Sequence, residues 1–320
     1  MIAVYDRPPM ISTPGIGRSF AALALAALVS GCSVERLATN RIADTLAASG
    51  TTYAGDDDPE LVGAALPFSL KLMESVLAGT PEHRELLSAT AAAFTQYAYA
   101  FVQQQGDTLA LDDTDRAWES WNRARKLYLR ARDYGLRGLE AVHPGFTAGL
   151  EVDHAATVQQ AGNAEIDLLY WTAVSWAGAI ALGKDDPALV ADLAIVSALI
   201  DRALALDEAW DRGAIHSFLI SYAMSRPDMP GDRVVNARAH FDRAVALSEG
   251  KAAGPHVSWA EAVCLPQEDR ACFEASIAAA LKVDPDTDPS TRLANTVMRR
   301  RASWLAAHLD EWILPGVNAP

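Results

Sequence analysis

The 320-residue chain is short of positive charge, of cysteine and of strand-forming sequence. Lys and Arg number 27 against 41 Asp and Glu, a formal net charge of -14. Nucleic-acid phosphates demand a basic footprint, so this balance argues against DNA or RNA as a partner. Acidity serves solubility and says nothing about substrate. Alternating β-branched runs are almost missing, and Pro, Asp and Gly fill the regions between helical patterns. An all-α fold class follows. Catalytic signatures are missing as well. There is no Walker loop, nucleophile elbow or dinucleotide fingerprint, and Gly15 and Gly17 fall in a leader region. His83, His143, His154, His216, His240, His256 and His308 are scattered, with no pair at the HExxH spacing. Asp153 and His154 mimic a base and its orienter, but no nucleophile is marked, and a surface-loop histidine is the plainer reading. The expectation is no enzyme activity, no cofactor and no metal.

What is present begins with an address. Arg18 precedes an apolar run from Phe20 to Val29, closed by Ser30, Gly31 and Cys32. A short apolar stretch behind a positive charge, ended by small residues, reads as a secretory signal too short to span a bilayer. The form Leu28-Val29-Ser30-Gly31-Cys32 resembles the bacterial lipobox, in which the cysteine becomes the first mature residue and carries lipid. An ordinary cleaved signal that happens to hold a cysteine is the alternative. The expected organisation is a lipoprotein signal peptide over residues 1–31 and one all-α helical-repeat domain over 32–320. Met10 is a candidate start, given the long stretch before Arg18. The expected location is the periplasm, with Cys32 as lipid anchor; Ser33, where an inner-membrane retention cue would place Asp, leans towards the outer membrane.

Three later segments end alike: Ala203 to Asp207, Ala244 to Ser248, and Ala280 to Asp284. From Leu206 to Leu247 and on to Val283 the steps are about 41 and about 36 residues, near the 34-residue tetratricopeptide period. The consensus is degenerate, because the Trp-Leu-Gly-Tyr signature is missing. The expected architecture is a stack of antiparallel helical hairpins, tetratricopeptide-like, with room for a central channel or groove.

Upstream, Asp58 suits a helix N-cap, Pro59 the first helical position and Glu60 the positive end of the dipole. Asp56, Asp57 and Asp58 lack the spacing of an EF-hand loop, so capping is favoured over calcium. Leu87, Thr90, Phe94, Tyr97 and Phe101 form a helical face that residues 103–106 are expected to close. The next helix sets Ala117, Trp121, Ala124, Tyr128 and Ala131 on one side and Arg123, Arg125, Lys126, Arg130 and Arg132 on the other. A charged face is ordinarily just solvated. In so acidic a chain, Arg123, Lys126 and Arg130 are also candidates for docking an acidic partner. A break is expected from Gly135 to Asp153, then a deeply buried helix from Ala164 to Leu182. The last helix is expected from Thr291 to Ile313.

Cys264 and Cys272 flank the Pro266 turn of a hairpin. Outside the cytoplasm they can pair as a disulfide; two buried free thiols are the alternative. Arg299, Arg300 and Arg301 sit about 100° apart on one helix and cannot share a direction. Pairing with Asp284, Asp286 and Asp288 is the bland reading; an anion site is the sharper one.

Segments 240–251, 257–264, 267–270, 292–295 and 299–305, with Tyr170-Trp171, Ser175-Trp176 and the turn Lys184 to Pro187, resemble the T component associated with TRAP (tripartite ATP-independent periplasmic) transporters. The long leader and Cys272 depart from the family pattern. The resemblance implies a periplasmic lipoprotein of tetratricopeptide-like hairpins. It further implies association with the solute-binding P component, relay or storage of an apolar ligand, a tendency to form homo-oligomers, and no catalysis. The leading functional expectation is thus a lipid-anchored accessory protein of a TRAP-type solute uptake system. The alternative is a tetratricopeptide-like scaffold lipoprotein for envelope assembly. Tyr97, Tyr170, Trp171, Trp176, Trp210 and Tyr222 are the candidate ligand-binding aromatics, against a core-packing role for each.

Overall fold

The computed structural model describes residues 38–226 and 229–314, and every regular element among them is helical. The principal helices are α1 (Pro59–Gly79), α2 (Arg84–Tyr97), α3 (Thr114–Val142), α4 (Phe146–Thr157), α5 (Ile166–Ala181), α6 (Leu193–Leu206), α7 (Ala214–Ser225), α8 (Arg233–Leu247), α9 (Gly254–Trp259), α10 (Arg270–Lys282) and α11 (Arg292–Ala307). A helix over residues 38–48 and a short one at Gly50–Ala54 precede them. The all-α hairpin stack expected from the sequence is what forms. α6 and α8 end at Leu206 and Leu247, and Val283 caps α10.

Helix starts follow local chemistry. The Asp58 carboxylate accepts from the Leu61 N–H at 3.0 Å, with Pro59 in the first turn of α1. Asp113, Asp232 and Asp269 cap α3, α8 and α10 in the same way. Each such cap satisfies an amide that the helix cannot, and is worth about 1 kcal/mol.

Three expected boundaries are moved. Residues 103–106 do not end a helix: α2 continues through a π-helical turn, Ala98–Gln103, into the helix Gln104–Leu109. Gly106 is buried there, and a Cβ on it would come within 2.7 Å of the Trp121 ring. α3 likewise runs unbroken for 29 residues through Gly135, where a Cβ would come within 2.1 Å of the Thr172 hydroxyl on α5. Both glycines serve close helix approach rather than helix termination. The actual break is confined to His143, Pro144 and Gly145. Finally, the last helix stops at Ala307, and a separate short turn covers Leu309–Trp312. Asp153 and His154 lie within α4, not in a loop, although Asp153 (φ -152°) interrupts that helix.

α3 packs on α2 and α5, and α5 on α6; α7 packs on α8, α9 on α10, and α10 on α11. Two large apolar clusters result. The first joins α1 to α6, with Phe146, Leu168, Leu199 and Ile200 fully buried; the second joins α8 to α11 around Phe273, Val257 and Leu305. Burying a side chain of this size contributes about 1.5–3 kcal/mol. α7 belongs to both, giving Ile215, Leu219 and Tyr222 to the first cluster and Ile220 and Ala223 to the second. The stack then closes on itself. Arg292 of α11 donates to the Gly55 carbonyl at 3.0 Å, and Arg300 pairs with Glu60 of α1. The two halves therefore meet at α7 and again where α11 reaches α1, leaving a seam between them.

Candidate functional site

The seam is built by two helices that depart from α geometry. Ala98–Gln103 in the first half and Ala260–Cys264, continuing α9 in the second, are the π-helical turns among the described residues. A π turn bulges the backbone and re-aims the residues after it, and such turns are frequent at functional sites. The first carries Tyr99 and is followed by Asp107; the second carries Glu261. Arg301 of α11 lies between them. It donates through Nη2 to Glu261 Oε1 at 2.6 Å and through Nε to the same oxygen at 3.0 Å. Nη2 also stands 3.1 Å from Asp107 Oδ2. Trp121 Nε1 donates to Asp107 Oδ1 at 2.9 Å. Tyr99 Oη donates to Met298 Sδ at 3.8 Å, so the first half also touches α11 there.

Two carboxylates thus share one guanidinium in the interior. Burial pushes both the Asp107 and the Glu261 carboxyl above the usual carboxylate range, and Arg301 opposes the shift. Burial, reinforced by Glu261, also raises the Tyr99 hydroxyl. The cluster binds the halves electrostatically; it contains no nucleophile with an adjacent base.

Clefts open on either side of it. The larger, about 600 Å³, is walled by Gly63 of α1, Tyr97, Phe101, Gln104, Arg123 of α3 and Arg300 of α11. The smaller, about 380 Å³, is walled by Tyr170, Arg212, Leu247, Lys251, Asn295 and Met298. Both volumes fall in the range of small-molecule sites. The rim of the smaller cleft holds left-handed backbone at Asp211 (φ 42°), Arg212 (φ 55°) and Glu249 (φ 53°). Such conformations cost about 1–3 kcal/mol each outside glycine. Arg212 is held there by Asp288 and by Ser290 Oγ at 3.0 Å.

The six candidate aromatics separate. Tyr97 walls the larger cleft, and its hydroxyl accepts from Arg123 Nη2 at 3.1 Å. Tyr170 walls the smaller, with Trp171 and Trp210 packed on it at 4.9 and 4.7 Å between ring centres. Trp176 and Tyr222 are core residues: Trp176 Nε1 donates to Asp192 Oδ2 at 3.2 Å, and the Tyr222 hydroxyl pairs with Ser197 Oγ at 3.0 Å. Of the seam residues Tyr99, Phe101, Asp107, Glu261, Met298 and Arg301, the sequence singles out Arg301 through the arginine triplet, and Asp107, Glu261 and Met298 carry no mark that assigns them to the site. The aromatic run from Tyr97 to Phe101 is the signal that points at Tyr99 and Phe101.

The arginine triplet does not pair as expected. Arg300 reaches Glu60 and Arg301 reaches Asp107 and Glu261, all distant in sequence. Asp286 and Asp288 pair instead with Arg292 and Arg212. The basic side of α3 is largely spent within the molecule. Arg125 faces Asp185 at 3.5 Å, Arg130 is bound by Glu74, Arg132 holds Asp133 at 2.7 Å, and Arg123 is turned onto Tyr97. Lys126 is exposed on that side.

The histidines are not all scattered. His216 Nδ1 and His240 Nδ1 lie 2.9 Å apart, with His216 Nε2 3.3 Å from Glu208 Oε2. One proton between the two Nδ1 atoms suits a neutral pair. Burial, and then His216, push His240 down to about 4. No group of three or more metal-ligating side chains occurs among the described residues. Cys264 and Cys272 are joined through their sulfurs, with Cα atoms 5.5 Å apart. The pair fastens the π turn carrying Glu261 to the start of α10. Cys32 lies outside the described residues.

Closed helical hairpins with two clefts in their seam define an all-α helical-hairpin protein. Comparison with known proteins gives the family: residues 55–312 match the TRAP transporter T-component, and the chain belongs to that family. A protein of Treponema pallidum (strain Nichols), described as uncharacterized, is 30% identical over 311 residues, which cover 92% of this chain and 96% of the relative. The family is one of transport accessories, not of enzymes, and implies association with a TRAP transporter system.

Proposed function

We propose that this chain is a lipid-anchored periplasmic accessory protein that binds the solute-binding component of a TRAP-type uptake system and holds an apolar ligand in its seam. Family membership over residues 55–312 carries the reading. The seam supports the ligand: Tyr97, Phe101 and Gly63 line the larger cleft, and Tyr170, Leu247 and Met298 the smaller. The lipobox-like residues ending at Cys32 support the anchor and the periplasmic location, with the outer membrane favoured. On this reading catalysis plays no part, and the docking face is Arg123, Lys126 and Arg130: all three are exposed, Lys126 freely, while Arg123 and Arg130 present what their bonds to Tyr97 and Glu74 leave uncovered.

The test is a binding titration against the cognate solute-binding protein, at low and moderate salt. Wild type is expected to bind, and binding is expected to weaken with salt, because exposed charges are screened beyond about 8 Å at physiological ionic strength. Changing Arg123, Lys126 and Arg130 to Glu is expected to weaken it further. No binding by wild type at tens of micromolar rejects the partnership; unchanged binding by the triple variant rejects only the docking face.

A further inference from the structure

α1 is unusually apolar for a helix on the outside of a protein. It is 21 residues long and, by length and composition alone, apolar enough to cross a bilayer, yet only 28% of its most apolar stretch is buried. One side, from Val62 through Leu66, Leu70 and Met73 to Leu77, packs into the protein along the full length of the helix. A helix fastened in this way lies along the surface and does not cross a membrane.

The other side carries Leu61, Phe68 and Leu72, which are 59%, 73% and 38% exposed. Steps of seven and four residues put them in one stripe. A phenylalanine three-quarters in water at the centre of such a stripe marks a surface that something covers. The charges of the helix leave the stripe clear. Glu60 is taken up by Arg300, and Glu74 by Arg130, Lys71 and the Tyr134 hydroxyl. Lys71, itself 68% exposed, has a stem long enough to carry its ammonium to a polar boundary.

The start of the described chain indicates what covers it. The helix over residues 38–48 runs antiparallel along α1. Thr39 lies against Gly79, Ala43 packs with Met73 and Leu77, and further on the Tyr53 hydroxyl bonds Ser69 Oγ at 2.5 Å. Ile42 on this helix is itself 52% exposed. Cys32 is six residues before residue 38, and six extended residues reach about 20 Å at most. A lipid on Cys32 therefore holds residue 38, and with it the Gly79 end of α1, within about that distance of a bilayer.

We propose that the face of α1 bearing Leu61, Phe68 and Leu72 lies on a phospholipid surface, with the helix axis in the membrane plane. The placement rests on the lipid-anchor reading of Cys32 for its nearness to the bilayer; the apolar stripe stands without it. Acyl chains already supply attachment, so this contact supplies orientation. It sets the larger cleft, whose wall includes Pro59 and Gly63 on the protein-facing side of α1, behind the helix as seen from the membrane.

The experiment uses the full lipidated chain in phosphatidylethanolamine and phosphatidylglycerol vesicles. With Cys32 acylated and Cys264 joined to Cys272, Phe68→Cys introduces a single free thiol for a polarity-sensitive fluorophore. Val235→Cys on α8, 66% exposed in the other half of the molecule, is the control. Both sites are exposed, so neither change disturbs the core. The label at 68 is expected to shift to the blue, and lipid-borne nitroxide is expected to quench it at least about threefold more than the label at 235. Equal quenching at the two sites overturns the proposal. A blue shift that depends on adding unlabelled protein, and not on lipid, overturns it in favour of a second copy as the cover. The mass of the N-terminal peptide reports acylation separately. If it shows none, the chain is given Cys32→Ser so that the introduced thiol is again the one free thiol, is tethered by an N-terminal oligohistidine tag on a nickel-chelating lipid, and the same comparison decides.

Discussion

Arg301 is the residue on which the seam depends. Replacing it by Met leaves Asp107 and Glu261 facing each other in the part-buried seam without a cation, and the cost approaches, without reaching, that of breaking a fully buried pair, about 3–5 kcal/mol. The pH dependence comes from the direction of the carboxyl shifts. Both carboxyls are raised in the folded state, so the folded protein holds the protons more tightly, and stability falls as pH climbs from the ordinary carboxylate range through the raised one. Without Arg301 the shifts grow. Urea midpoints of the variant are expected to lie closer to wild type at pH 5 than at pH 8; an equal deficit at both would show that the carboxylates are not the cause. His240 acts in the opposite sense. Its folded value is lowered to about 4 from an ordinary 6.5, so its contribution is present above about 6.5 and is lost as pH falls towards 4. Imidazole resonances followed by NMR are expected to place the His240 midpoint near 4, and His240→Phe is expected to flatten the stability profile in that window. None of these partnerships was legible in the sequence. Arg301 and Glu261 are 40 positions apart, and His216 and His240 are 24 apart, so only the finished packing brings them together.

At the scale of elements, the caps were legible and the π turns were not. Asp58 with Pro59 announces α1, because the carboxylate suits the N-cap, where it accepts the Leu61 N–H, and proline suits the first helical position, where no N–H is needed. A π turn adds one residue within a helix and shifts the apolar phase after it by about 100°, but the helix Gln104–Leu109 that follows is too short and too polar to display the shift. Gly106 and Gly135 misled for a related reason. Glycine read locally is a breaker, whereas here the determining neighbours are Trp121 and Thr172 on other helices. Deleting Ala100 is expected to restore α geometry and turn the helix Gln104–Leu109 by about 100°, carrying Asp107 off Arg301. Thermal denaturation should then drop while helical circular dichroism stays; an unchanged midpoint would dismiss any role for the π turn in placing Asp107. The second π turn is fastened by Cys264 and Cys272. Mass spectrometry of protein alkylated without reductant is expected to find neither thiol labelled.

For the whole molecule, the repeat steps ending at Leu206, Leu247 and Val283 were enough to predict a helical-hairpin stack. They were not enough to predict its closure, since Arg292 to Gly55 and Arg300 to Glu60 are contacts between the two ends of the chain. That closure sets an order in time. The surface of α1 that Arg300 completes is made early in synthesis, while α11 is among the last segments made. Contacts so distant in sequence form slowly, because the intervening chain must be ordered first. A chain stopped short of α11 therefore leaves Glu60, Asp107 and Glu261 without their arginines, and the first half waits, assembled but open, for the final helix to arrive.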